Sequence, residues 1–149
     1  MAEEKRVIIR GRAVIKGRTE GEALVSKMPL MGWGNVNIKM GYVVERGHPL
    51  YHIPFKGKIL VFPYARGSGG FQMYGRTRQF GVEPAAMLYD EGMSITTFTA
   101  LTLKRPCMTD FETSVAAAID TGDWVIVNAD DGYVEIIKGG RGPCDTRSG

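Results

Sequence analysis

The sequence is poor in cysteine, with two in 149 residues, Cys107 and Cys144. Neither lies in a CxxC pair or beside paired histidines, which argues against a disulfide framework and against a zinc site held by this chain. No apolar run approaches the roughly 18 residues of a membrane span. The opening MAEEKRVIIRGR has no apolar core of signal-peptide length, so a cytoplasmic protein without membrane contact is expected. No repeat, low-complexity tract or linker divides the chain. Residues 1–149 therefore read as one domain, folded over about 6–138, with a tail from 139. Acid is missing from one long stretch: nothing between Arg46 and Glu83 is Asp or Glu, while Lys56, Lys58, Arg66, Arg76 and Arg78 lie there. From Glu83 to Glu135 ten acids stand against Lys104 and Arg105. The basic stretch is either a solvated face or an anion-facing surface.

What is present describes a soluble α/β domain. With 44% apolar and 23% charged residues, the chain has enough apolar surface to offset its ordering entropy, which excludes a mostly disordered protein. At this length a fold buries roughly 70% of its extended surface without a metal or disulfide staple. Arg6 to Ile15 reads as one strand bent at Gly11, Glu22 to Ser26 as a short strand, and Gly41 to Val44 as another. Lys58 to Phe62 carries the continuous apolar run of a strand covered on both faces. Phe71 to Gln79 predicts about two helical turns, weakened by Gly75. Ala85 to Tyr89 and the Thr-rich Ile95 to Leu103 read as strands. Thr109 to Glu112 has capping-box spacing and predicts a helix over Phe111 to Ile119. Trp124 to Ala129 and Tyr133 to Ile137 form a hairpin through Asp130, Asp131 and Gly132.

One segment has the shape of an anion site. Arg66-Gly67-Ser68-Gly69-Gly70 follows a buried strand and precedes a helix, so glycines admit a close ligand and unpaired amides favour negative charge. Arg66 adds a forked cation suited to carboxylate or phosphate, and Ser68 stands in the middle. A serine hydroxyl can take a proton only where its alkoxide is strongly stabilised, as a cup of amides and guanidinium would provide. The bland alternative is a glycine turn capped by a serine. RGSGG lacks the Lys-Ser/Thr ending of a P-loop and is not GxSxG. A stand-alone serine hydrolase would need His48 or His52 as base, and no spacing singles out either. A non-catalytic module using residues 47–82 to bind nucleic acid or another anion is the remaining reading. Cys107 reads as a small core residue, Trp33 and Tyr42 as core or interface anchors, and Gly32 to Gly34 as a second pocket wall.

The motifs, taken in order, resemble the small subunit, or swivel domain, of the aconitase X type hydro-lyases. GRTEGEALVS at Gly17 to Ser26 resembles the family's GxxxGEALVS, and His48-Pro49-Leu50 its HPL. GKILVFPYARG at Gly57 to Gly67, with Ser68, resembles its GKILVFPxGRGSS. Pro84-Ala85-Ala86 and Thr121-Gly122-Asp123 also match. The resemblance implies a swivelling β/β/α domain with a barrel-like, β-rich core and short helices, which caps a larger catalytic subunit holding an iron-sulfur or iron centre. The pair would remove water from a hydroxy acid, mevalonate 5-phosphate in archaeal members or cis-3-hydroxy-L-proline in bacterial ones. Ser68 matches the serine that exchanges the substrate proton and Arg66 the arginine two places before it. The Gly67, Gly69 and Gly70 amides complete the expected carboxylate cradle. This chain itself would hold no metal. Two departures bear on the pocket: Gly69 replaces the family's second serine, and GFQMYGRTRQF is bulkier and more basic than the usual run. Arg76 and Arg78 would then meet either a further anionic group or an acidic partner surface. The mesophile-like composition leans toward the bacterial amino-acid substrate.

Overall fold

The computed structural model describes residues 6–31, 35–66 and 69–139. Twelve strands occur in chain order. They are β1 Arg6–Arg10, β2 Arg12–Ile15, β3 Arg18–Val25, β4 Leu30–Met31, β5 Val36–Asn37 and β6 Tyr42–Val43, then β7 Ile59–Phe62, β8 Ala65–Arg66, β9 Ala86–Tyr89, β10 Cys107–Thr109, β11 Trp124–Asn128 and β12 Tyr133–Ile137. The α-helices are α1 Met73–Arg76, α2 Ser94–Leu103 and α3 Val115–Ala118, with 3-10 turns at Gly69–Gln72 and Thr77–Phe80 flanking α1.

Eight strands form one sheet in the order β1-β12-β11-β3-β7-β9-β10-β2. β1 and β2 are the two halves of one segment bent at Gly11, so both ends of the sheet belong to the same piece of chain and the sheet closes on itself. Gly11 permits the bend because a Cβ there would stand 2.5 Å from the Phe111 ring; its N–H donates to Gly132 O at 3.0 Å. β3, β7, β9 and β10 run parallel at the centre. Their side chains alternate between two cores, as the period of two requires. One core fills the barrel with Ile59, Val61, Leu88, Val125, Val127, Val134 and Ile136, closed by Val115 and Ile119 of the α3 segment. The other lies outside, where Leu60, Phe62, Met87, Tyr89 and Cys107 are covered by Phe71, Tyr74, Ala100 and Leu103. All four residues of β7 and of β9 are buried, as a strand covered on both faces demands.

Three local expectations are corrected. Ile95–Leu103 is helical, not a strand, because the apolar and small residues Thr96, Thr99, Ala100 and Leu103 recur at helical spacing and face the core. The threonines satisfy their hydroxyls within the helix, Thr99 Oγ1 donating to Ile95 O (2.8 Å) and Thr102 Oγ1 to Phe98 O (3.2 Å). The Thr109 capping box does not form. Thr109 ends β10, Asp110 takes a left-handed φ of 54°, and α3 starts later, capped by Ser114 Oγ accepting from Ala117 N (3.1 Å). Asp90 reinforces that cap, accepting from Val115 N (2.7 Å) and Ser114 Oγ (2.8 Å). Finally, the glycine-rich run from Ala65 to Gly70 is not expected to continue a strand, yet its first two residues, Ala65–Arg66, pair in parallel with Leu30–Met31.

Gly75, a weak residue for a helix, has a packing reason. A Cβ there would lie 2.9 Å from Thr102 Cβ and 3.0 Å from Thr99 O, so glycine lets α1 press against α2.

Candidate active site

The parallel strands all end on the same side of the molecule, the end at which open α/β sheets place their ligands. The segments leaving β3 and β7 stay together there: Ser26 N donates to Val61 O (2.8 Å), Leu30 N to Tyr64 O (3.2 Å), and Met31 pairs with Arg66. Arg66 is thereby carried to the rim. Its side chain is exposed and makes no hydrogen bond or ion pair among the described residues, so its forked donors remain available to a ligand. Gly69 and Gly70 open the 3-10 turn that leads into α1. Gly67 and Ser68, like the Gly32 to Gly34 wall and Trp33, lie outside the described residues.

Aromatic packing fixes where the glycine segment must end. Phe71 is fully buried, 5.6 Å from the Phe62 ring and 4.8 Å from Tyr74. Tyr74 donates from its phenol to Met31 O (3.3 Å), tying the helix to the strand beside Arg66. Burial, and then the charge of Glu45, hold that phenol protonated well above the usual tyrosine range. The bulk expected in the pocket is therefore turned inward: Phe71 and Tyr74 are core anchors. Arg78 is likewise committed elsewhere, donating to Leu103 O (3.4 Å) at the C-terminus of α2 and lying 3.6 Å from Glu83.

His48 is the residue whose role was not legible. It is buried, its Nδ1 accepts from Leu50 N (3.1 Å), and Nε2 lies 3.2 Å from Pro29 O and 3.4 Å from Ser26 Oγ. An Nδ1 that accepts leaves the ring proton on Nε2, so the imidazole donates toward Pro29 and is not free to act as a serine's base. Ser26 Oγ donates to Met28 O (2.5 Å) and accepts from Met28 N (3.1 Å). GEALVS and HPL thus shape the turn before β4. Thr121-Gly122-Asp123 is also scaffold: Thr121 Oγ1 accepts from Val25 N (2.9 Å), Gly122 N donates to Ala23 O (3.0 Å), and Ala23 N to Asp123 O (2.8 Å). His52 stacks at 4.1 Å on Tyr51 at the surface.

The acid-free stretch does not make one basic face. Arg66 stands past the C-terminal end of β7; Lys58 precedes its N-terminal end and pairs with Glu22 (3.0 Å). Cys107 is buried, its thiol donates to Arg105 O (3.3 Å), and burial pushes its pKa up to about 12, the setting of a core thiol and not of a thiolate ligand. Among the described residues no group of three or more His, Cys, Asp or Glu is placed to hold a metal ion.

Comparison with known proteins agrees with the motif order. The family model for the aconitase X swivel domain matches residues 8–136. The chain belongs to that family. This swivel domain is 37% identical over 132 residues, 87% of the chain and 91% of the relative, to a protein of Methanosarcina acetivorans named phosphomevalonate dehydratase small subunit. A protein of the same name from Methanosarcina mazei is 36% identical over 89% of the chain and 93% of its own length. The crystal structure of Thermococcus kodakaraensis aconitase X in its holo form superposes with a TM-score of 0.82 at 30% identity, covering 89% of this chain and 99% of that one. The expected β-rich α/β swivel architecture is therefore the observed one. No helix among the described residues is long and apolar enough to cross a membrane.

Proposed function

We propose that this chain, a subunit of an aconitase X type hydro-lyase, is the small subunit of a phosphomevalonate dehydratase that works only with a large partner. Arg66 carries the reading: an exposed guanidinium with no side-chain partner among the described residues, held by strand pairing at the ligand end of the sheet, two residues before Ser68. The names of the Methanosarcina relatives support mevalonate 5-phosphate over cis-3-hydroxy-L-proline as substrate.

In this reading Arg66 and the amides of Gly67, Gly69 and Gly70 bind the carboxylate next to the departing proton. As that proton leaves, charge builds on the carboxylate oxygens, and a donor aimed at such charge is worth about 3 to 4 kcal/mol. Ser68 takes the proton, its alkoxide stabilised by the same donors. The described residues offer no seat for an iron-sulfur or iron centre, and the large subunit is the chain proposed to hold it. A separate swivel body closing on that subunit excludes water from the cradle.

The test is reconstitution. The two subunits together should dehydrate mevalonate 5-phosphate and leave cis-3-hydroxy-L-proline unchanged, while the small chain alone does neither. Ser68→Ala should lower turnover by about 10²- to 10⁴-fold with assembly intact. Near-normal turnover would reject the serine, and activity of the small chain alone would reject the subunit reading. Labelling of Ser68 by a serine-directed inhibitor would favour a hydrolase instead.

A further inference from the structure

We propose that the large subunit docks on the outward face of α2, seating Phe98 and Leu101 in an apolar groove that carries acid at the end nearest Lys104. This rests on the small-subunit reading above. With about 100° per residue, the buried Thr96, Thr99, Ala100 and Leu103 leave Ser94, Phe98 and Leu101 pointing directly away from the core. Phe98 is 54% and Leu101 55% exposed, one turn apart, on a helix that contains no charged residue. Neither side chain belongs to either core, and a solvent-facing stripe of this kind ordinarily carries Lys or Glu.

Position says what covers it. α2 leaves the loop that follows β9, at the same end of the parallel strands as Arg66, and Met93 at its start is 42% exposed. The stripe therefore continues to the rim of the candidate site. The helix packs against the 3-10 turn that opens at Gly69, so a body seated on that turn has this stripe beside it. A second copy of this chain is a poorer occupant. Three half-exposed side chains offer roughly 300 Å², and two copies about 600 Å², half of the roughly 1,200 Å² that a stable interface buries. A large subunit that also covers the rim loops makes up the remainder. At the far end of the helix, Arg105 is taken by Glu83 (2.8 Å), but Lys104 makes no ion pair among the described residues and is exposed. It supplies the charge that a partner acid would meet.

The experiment measures affinity of this chain for the large subunit of the same enzyme. Phe98→Glu with Leu101→Glu should weaken binding at least 100-fold while the thermal unfolding of the isolated chain is unchanged. Ile8→Glu, at an equally exposed position (56%) on β1, should leave affinity as it was. Lys104→Glu should weaken it a few-fold, more at low salt. Undiminished affinity of the double variant overturns the docking face. Should that variant unfold, hydrogen exchange of the native complex decides: slowed exchange over residues 94–103 supports the proposal, and unchanged exchange there defeats it. Failure of the native chain to bind any large subunit defeats the subunit reading itself, and this face with it.

Discussion

Two sets of motif residues share the same end of the sheet and are treated oppositely by the fold. Ser26, His48 and Thr121 to Asp123 are tied to backbone partners by hydrogen bonds, and Ser26, His48 and Asp123 are buried. Arg66, four residues beyond the end of β7, faces solvent, and its guanidinium has no partner among the described residues. In a sequence the two sets look alike, because both are runs of small and polar residues at fixed spacing. The difference teaches that most of the recognisable pattern in this chain builds a rigid rim, and that Arg66 on that rim is left outside the scaffold, as the proposed chemistry requires.

If that division holds, rim residues set the rate and scaffold residues set stability. Arg66→Ala should cut kcat/KM of the assembled enzyme by about 10²- to 10³-fold, with the melting temperature of the isolated chain unmoved; a large thermal shift would put Arg66 in the scaffold instead. His48→Ala should show the reverse, losing about 2 to 3 kcal/mol in denaturant unfolding because Leu50 N and Pro29 O are left without their buried partner. Normal stability of that variant would erase the contrast. Gly75→Ala sharpens it at a distance from both sets: its new Cβ must displace Thr102, which should cost about 1 to 2 kcal/mol without altering affinity for substrate.

The smallest effect concerns Glu83. Burial opposes ionisation of its carboxyl, but hydrogen bonds from Arg105 and the nearby charges of Arg105 and Arg78 outweigh it, so its pKa lies below the ordinary 4.5. A carboxyl whose folded pKa is depressed stabilises the fold above its unfolded value and loses that contribution as pH falls through the folded one. Acid titration of stability should therefore be shallower in Glu83→Gln below about pH 4.5, with a loss near neutrality of about 1 kcal/mol, discounted because Arg105 and Arg78 are half exposed. Substrate turnover should not change, since this pair sits at the opposite end of the strands from Arg66.

Much of the fold was legible. The apolar runs of β7 and β9, the bend at Gly11 and the Asp-Gly hairpin each follow from a local rule that the structure obeys. The Thr-rich stretch was misread because β-branched residues favour strands only where nothing else decides; here burial of Thr96, Thr99, Ala100 and Leu103 against the outer core decides for a helix. The α3 cap was misplaced by five residues because Thr109 was needed in the sheet, where pairing with Arg12 outbids a local cap. The role of His48 could not be read from its motif, since its partners Pro29 and Ser26 are brought to it by the turn and not by neighbouring sequence.

By itself the sequence determined which strands are buried on both faces, where the chain must turn, and which segment could cradle an anion, because those properties depend on residue type and spacing within a few positions. Only the tertiary structure decided that the sheet closes through Gly11, that Phe71 and Tyr74 turn into the core, and that Arg66, unlike Arg78, has no side-chain partner among the described residues. Those outcomes depend on which distant carbonyls, carboxylates and rings a side chain meets, and proximity of that kind exists only once the chain has folded.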